Sequence, residues 1–410
     1  MSKFSRRQVI GGAGSAILVG SAGAAKAAPN TTSTLTADVC IVGAGFAGLS
    51  AALRLKQAGA SVVVLEARGQ VGGRSWTAPL KDGGWVDWGG QWVGSSQERF
   101  YALIKEMGCE TYPSPNFGKT LQRSIYDINE YYRIDEDKDE AFPGSTLLKG
   151  IYKRLDAIAD TVDVNAPWDH PDGKLLDSMT FAEWLRQNVQ HDGARQFAAT
   201  EVGSVPSASP EEISVLHLAW LIKACHGIGE LFGDAQADRL IGGTQRVARR
   251  VAERLKDEIK FNQPVRRIQW SDKGAVVQSD GIAVTARRVI VCVPPCLAGA
   301  IEYAPALPVN RTQVTQRWPQ GLVIKVSMVY SAPFWRDDGL NGTSYDHISV
   351  MGETADSSNP PEYSKAGILT GFVYTDNARK VAPLPAEERK RILLGEVAKR
   401  FGPKALEPVN

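Results

Sequence analysis

The sequence predicts an α/β fold: a Rossmann-like β-α-β domain that binds a dinucleotide, with a second, α+β domain inserted into it. Three observations carry this. Residues 38–74 (DVCIVGAGFAGLSAALRLKQAGASVVVLEARGQVGGR) read as strand, glycine-rich turn, helix, strand and acidic residue in uninterrupted order. Residues 259–293 return to apolar, strand-like runs much later in the chain. What lies between and after them is polar, aromatic and helical in pattern.

The first unit begins with an apolar run at residues 38–42 that suits a buried parallel strand. Gly43 permits the tight turn into a helix running to about Ala58, Gly45 lets the backbone approach a pyrophosphate, and Gly48 lets the helix lie close to the strand. Phe46 and Ala47 open that helix, whose unpaired N–H groups favour phosphate. A second strand at residues 61–65 ends on Glu66, 66 − 48 = 18 residues past the last glycine. A carboxylate there accepts ribose hydroxyls and repels a ribose phosphate, which disfavours a phosphorylated nicotinamide cofactor. Ala67-Arg68 and Gly72-Gly73-Arg74 then add a close-approach glycine pair and two guanidinium groups beside the same phosphates, more than a nicotinamide site requires.

With its E-A-R-x-x-x-G-G-R stretch, the chain resembles the FAD-dependent amine oxidase superfamily, and within it the flavin monoamine oxidases. The resemblance implies FAD as cofactor and makes residues 37–113 and 232–308 the FAD-binding domain, 114–231 and 309–410 the substrate domain.

Composition is compatible with this. A chain of 410 residues, 43% hydrophobic and 22% charged, has material for two cores, and a net charge of +2 gives no global field for nucleic acid or an anionic membrane. A small molecule is the expected partner. The basic stretch at residues 246–258 places its apolar residues at helical spacing, as a solvated helix face does. Five cysteines without a CxxC pair and five scattered histidines suggest neither a disulfide framework nor a metal. Cys40 and Cys292 sit in apolar runs and read as core.

Residues 1–28 read as a twin-arginine signal: Arg6-Arg7, a weakly apolar glycine-rich run, and small residues near Ala27. That predicts export to the periplasm or beyond, with no stable membrane span. Pairing into a homodimer stays open.

Further along, residues 82–94 (DGGWVDWGGQWVG) are dense in glycine and tryptophan, which suits either a hairpin packed by tryptophans or main chain pressed against a flat ring. The family's D-x-G-G-x-x-V-G motif matches here. It implies that Gly89 and Gly90 lie beside the isoalloxazine, with Gln91 and Trp92 next to them and facing the substrate. Helices are expected near residues 147–162, 180–188 (Thr180 with Glu183 as a capping box) and 211–223. The last, by resemblance, leads into a cavity wall and makes Phe232 and Gln236 substrate candidates. Residues 259–268 suggest one strand; the family touches adenine through the residue after such a proline, here Val265. Residues 274–293 read as a hairpin and a strand that return to the first sheet.

Lys325 stands alone among apolar residues in a strand-like run, VIKVSMVY. From periodicity it snorkels to solvent, because an unpartnered buried ammonium is costly. The resemblance of this stretch to the flavin monoamine oxidases instead implies a lysine that holds a water at flavin N5 and assists reoxidation. The implied reaction converts a small or aromatic amine, bound neutral in an apolar pocket with few acids, to an imine and then an aldehyde or ketone, with oxygen or another acceptor taking the electrons. One departure is expected to matter: the family continues beyond the point matching residue 410, with an F-A-G-T-E-like segment and two cage aromatics that are not found here. Two other readings stay open, a carotenoid-desaturase-like or protoporphyrinogen-oxidase-like relative and a non-catalytic flavin-binding fragment.

Overall fold

The computed structural model describes residues 33–126, 129–135 and 142–410. The expected signal segment lies outside them, as does most of the acidic run at residues 135–140.

A seven-stranded sheet carries the first unit. Strand β1 (Ser33–Val42) lies inside it, between β2 (Val62–Leu65) and the central strand Ile282–Val291, parallel to both. β1 is longer than the apolar run suggests, because Ser33 to Ala37 pair with Ile282 to Ala286 despite their polar character. Helix α1 (Phe46–Gln57) joins β1 to β2. Alternation along β1 splits its side chains between two cores. Val39 and Ile41 join Leu49, Ala52 and Leu53 of α1 and Val247 and Val251 of the helix Gln245–Leu255. Cys40 and Val42 join Val63, Leu65, Val277 and Val284 on the other face.

The expected single strand over residues 259–268 is two strands. Ile259–Lys260 extends the parallel set beside β2, whereas Val265–Ser271 belongs to an antiparallel hairpin with Gly274–Ser279. Asn262 at φ 56° and Pro264, which has no N–H, break the run between them.

A six-stranded sheet takes two strands from residues 119–135 and four from residues 323–374. One face packs on the helix Ala386–Phe401 through Met328, Tyr330, Leu369, Val373, Leu393 and Val397. From the opposite face Val329 packs with Val86. Helices from Ser145–Ala159 to Ile228–Phe232 form a separate apolar core, with Ile151, Leu155, Phe181, Leu218 and Ile222 buried. The expected helix at 211–223 begins later, at Val215. Ser214 caps it by accepting the His217 N–H at 3.2 Å, while Glu212 folds back to accept the Ser209 N–H at 3.1 Å. Among the described residues no single helix is long and apolar enough to cross a membrane, and no three His, Cys, Asp or Glu side chains gather as metal ligands.

Candidate functional site

The β1–α1 turn is built by glycine geometry. Gly43 has φ +100°, and a Cβ on Gly48 would stand 1.9 Å from the Gly43 carbonyl oxygen, so the helix lies on the turn only without one. Gly72 and Gly73 also have positive φ, and Gly73 faces Gly45 so closely that its Cβ would lie 3.1 Å from the Gly45 Cα. The two glycine motifs, 28 residues apart in sequence (73 − 45), thus pinch together.

They border a cleft of about 900 Å³. The cleft collects Gly43, Gly45, Phe46 and Ala47 from the turn and helix, and Glu66, Ala67 and Arg68 from the end of β2. Gly72, Gly73 and Arg74 follow, with Val265 from across the sheet. Gly48 supports the turn from beneath instead. Glu66, buried, accepts the Ala44 N–H at 2.7 Å and the Arg68 N–H at 3.0 Å; each carboxylate oxygen has lone-pair capacity beyond these. Arg68 donates to the Gly73 carbonyl at 2.8 Å and lies over Trp76. Cys292, read as core, is half-buried and lines this cleft. An elongated cleft with a bare glycine cradle, open N–H groups at a helix start and an acid at the far strand end fits an adenine dinucleotide.

Gly89, Gly90, Gln91 and Trp92 do not line that cleft; Gly89, Gln91 and Trp92 meet Lys325 instead. The lysine Nζ donates to the Gly89 carbonyl at 2.7 Å and to Gln91 Oε1 at 2.5 Å. It lies 5.7 Å from the Trp92 ring centroid and 6.0 Å from that of Phe372. The snorkelling expected from periodicity does not occur, because these acceptors replace water. Burial, above all, brings the Lys325 ammonium down to about 7; Asp87 favours its charge and Arg239 opposes it. Gln91, 2% exposed, also donates from Nε2 to Ser357 Oγ at 2.8 Å, so its side chain is committed to holding the lysine.

Part of the stretch 82–94 forms a hairpin with the residues before it. Thr77–Pro79 pairs with Trp85–Asp87, and the glycines follow. A Cβ on Gly89 would stand 2.0 Å from the Arg74 carbonyl oxygen, whereas one on Gly90 would meet only Ser75 Oγ at 3.8 Å. Gly89 is therefore required by protein backbone, and Gly90 is the glycine of the pair facing open space.

The substrate candidates differ in their surroundings. Trp92 rests against Phe372 with centroids 6.0 Å apart, Phe232 packs on Tyr152 and the helical core, and the Gln236 side chain is exposed. One acid that sequence reasoning missed shares the lysine's face of the sheet, with a second acid beside it. Glu353 is opposite Phe372, which is opposite Lys325, so all three share one face of the sheet. Glu353 accepts the Tyr374 hydroxyl at 2.9 Å, and burial pushes its carboxyl up to about 7 and that of Glu201 up to about 8. Burial holds both carboxyls toward their neutral forms. Only the strand register, which links residues 28 positions apart (353 − 325), reveals the first.

Comparison with known proteins agrees with this geometry. Residues 46–410 match the family model for flavin containing amine oxidoreductases. An L-amino acid dehydrogenase of Synechocystis sp. is 34% identical over 90% of this chain and 79% of its own length. A putrescine oxidase of Kocuria rosea is 35% identical over 91% and 80%. A solved structure of putrescine oxidase bound to putrescine superposes with a TM-score of 0.87 at 37% identity, covering 92% of this chain and 84% of that one. Cyclohexylamine oxidase from Brevibacterium oxydans gives 0.85 at 32%, covering 91% and 83%. The chain belongs to the flavin-containing amine oxidoreductase family, as a flavin-dependent amine oxidase whose cofactor is FAD.

Proposed function

We propose that the protein deaminates a small or aromatic amine oxidatively, R–CH2–NH2 + O2 + H2O giving R–CHO + NH3 + H2O2, with the imine as the released product that water hydrolyses. The observation that carries this is Lys325, held by Gly89 and Gln91 beside two aromatic rings. Bound FAD supplies the two-electron acceptor for the hydride equivalent leaving the carbon α to nitrogen. Glu66 and the Gly43–Gly45–Gly48 turn hold its ribose and pyrophosphate, Val265 its adenine, and Gly89 and Gly90 give main-chain access to its ring. Trp92, Phe372 and Lys325 surround the reacting end. The rings exclude water and favour the neutral amine, whose lone pair assists loss of hydride. Lys325 would hold a water on the ring side with the N–H that Gly89 and Gln91 leave over, and its ammonium would supply positive charge there. The domain division at 113/114, 231/232 and 308/309 and export through residues 1–28 belong to this proposal.

Similarity to a protein named L-amino acid dehydrogenase favours a second reading, in which an acceptor other than oxygen takes the electrons. One experiment separates them. The purified yellow protein is given a panel of amines and amino acids, and peroxide is measured against reduction of an artificial dye. Peroxide in step with amine consumed supports the oxidase; dye reduction without peroxide supports the second reading. A colourless protein that acquires no FAD on reconstitution defeats both.

A further inference from the structure

Three of the four groups around the Lys325 ammonium lie in one short segment: the Gly89 carbonyl, Gln91 Oε1 and the Trp92 ring. The same segment begins with a buried carboxylate and is paired with a buried guanidinium. Asp87, 2% exposed, accepts from Thr77 Oγ1 at 2.5 Å and from the Thr244 N–H at 3.1 Å, all through Oδ1. Its Oδ2 is closed off from solvent without a partner. Thr244 also donates from Oγ1 to the Gly90 carbonyl at 2.5 Å, tying this acid to the residue that follows the Gly89 carbonyl on which the lysine rests. Arg239, 1% exposed, stands opposite Trp92 in the strand register. It donates from Nη1 to the Ser358 carbonyl at 2.9 Å and lies over the Tyr112 ring, and its Nε is likewise buried without a partner.

One buried anion therefore serves a buried guanidinium and a half-buried ammonium. With Lys325 protonated the group carries a surplus positive charge in a low-dielectric core; with Lys325 neutral it balances. We propose that Asp87 and Arg239 are positioning residues that jointly decide whether Lys325 carries its proton, the carboxylate holding it on and the guanidinium driving it off. This deepens, and rests on, the reading of Lys325 given above. Such a device places the lysine near its switching point under ordinary conditions, so that the positive charge that oxygen reduction calls for is available while a fixed cation does not stand permanently beside the amine. Burial, Asp87 and Arg239 are the influences acting on the lysine, which lies at about 7. On the sheet packed against it Phe372 is neutral, and Tyr374 and Glu353 hydrogen-bond to one another.

The two residues make opposite predictions, which loss of packing does not. In the holoenzyme labelled with [13C]lysine, the Lys325 signal is assigned by its disappearance in Lys325→Met and titrated by NMR. The expected midpoint is near 7 in the unaltered protein. Asp87→Asn moves it down and Arg239→Gln moves it up, each by about one pH unit or more. Asp87→Glu, which keeps the charge, leaves it near its starting value. Shifts of both neutralising variants in the same direction, or no shift in either, overturn the proposal. Where Asp87→Asn does not fold, Arg239→Gln decides alone: an upward midpoint supports the assignment, and a stationary or lower one overturns it. Rapid reoxidation in Lys325→Met removes the lysine's role in turnover but leaves this titration standing, so the two failures are told apart.

Discussion

At the scale of single residues, the site turns on groups that lose water and must find replacements. Glu66 gives up solvent for two backbone N–H groups while keeping capacity for ribose. Glu66→Ala should therefore weaken FAD retention, and flavin content after extended dialysis measures it; full retention counts against the ribose assignment. Lys325→Met should slow reoxidation of reduced flavin by oxygen in stopped-flow mixing while the protein still binds FAD, and an unchanged rate removes the role. The pH dependence follows from the lowered lysine: its proton is present below about 7 and lost above. The Lys325-dependent part of reoxidation should fade as pH rises through that region and be absent from Lys325→Met at every pH. Linkage has the matching sign. Between about 7 and the ordinary 10.5 the unfolded chain holds a proton that the folded one does not, so this group's contribution to stability improves as pH rises across that window. The glycines and Glu66 are marked by a motif; the isolated charge at Lys325 reads by itself as a snorkelling lysine, and only the resemblance of its strand pointed to the site. Asp87 and Arg239 were not legible, since their meaning lies in contacts to partners such as Thr244, 157 residues from Asp87.

Between elements, legibility depends on whether local signals compete with tertiary ones. The β1–α1–β2 unit is fixed by local pattern and glycine. The helix expected from residue 211 starts at Val215 because Ser214 is the better cap and Glu212 is used in the preceding turn. The strand expected at 259–268 divides because Pro264 and Asn262 interrupt pairing that hydrophobicity alone would continue. The Gly89–Gly90 pair makes this argument testable. Gly89→Ala drives a methyl into the Arg74 carbonyl and should lower the melting temperature of the FAD-free protein. Gly90→Ala meets no atom nearer than 3.8 Å, so it should melt close to the parent yet bind FAD less tightly. Equal melting behaviour of the two variants contradicts the division of labour between them. At the start of the helix Phe181–Asn188, Thr180 accepts the Glu183 N–H at 3.2 Å, one half of the capping box expected there, while the Glu183 carboxylate accepts from Arg186 and Gln187 instead. Thr180→Ala should lower unfolding free energy by about 1 kcal/mol in a urea titration, with FAD binding untouched.

In the whole molecule, the cofactor cleft is assembled from residues 42–75, 263–266 and 292–301, and the lysine platform from residues 89–92, 325 and 372. Neither exists until distant parts of the chain have met, so FAD binds the folded chain and not the unfolded one. A ligand with that preference stabilises by RT ln(1 + [L]/Kd), about 2.7 kcal/mol at a hundredfold excess over Kd. The described cleft is the part built for the adenosine and pyrophosphate, which fixes how the stabilisation should divide. ADP alone should raise the melting temperature of the FAD-free protein by a sizeable share of what FAD achieves, and Glu66→Ala should reduce both effects together. Riboflavin, which carries the ring but no phosphate or ribose, should do little. Protection by riboflavin with none from ADP would mean that the glycine pinch at Gly45 and Gly73 is structural only, and that the nucleotide end of the cofactor is held elsewhere.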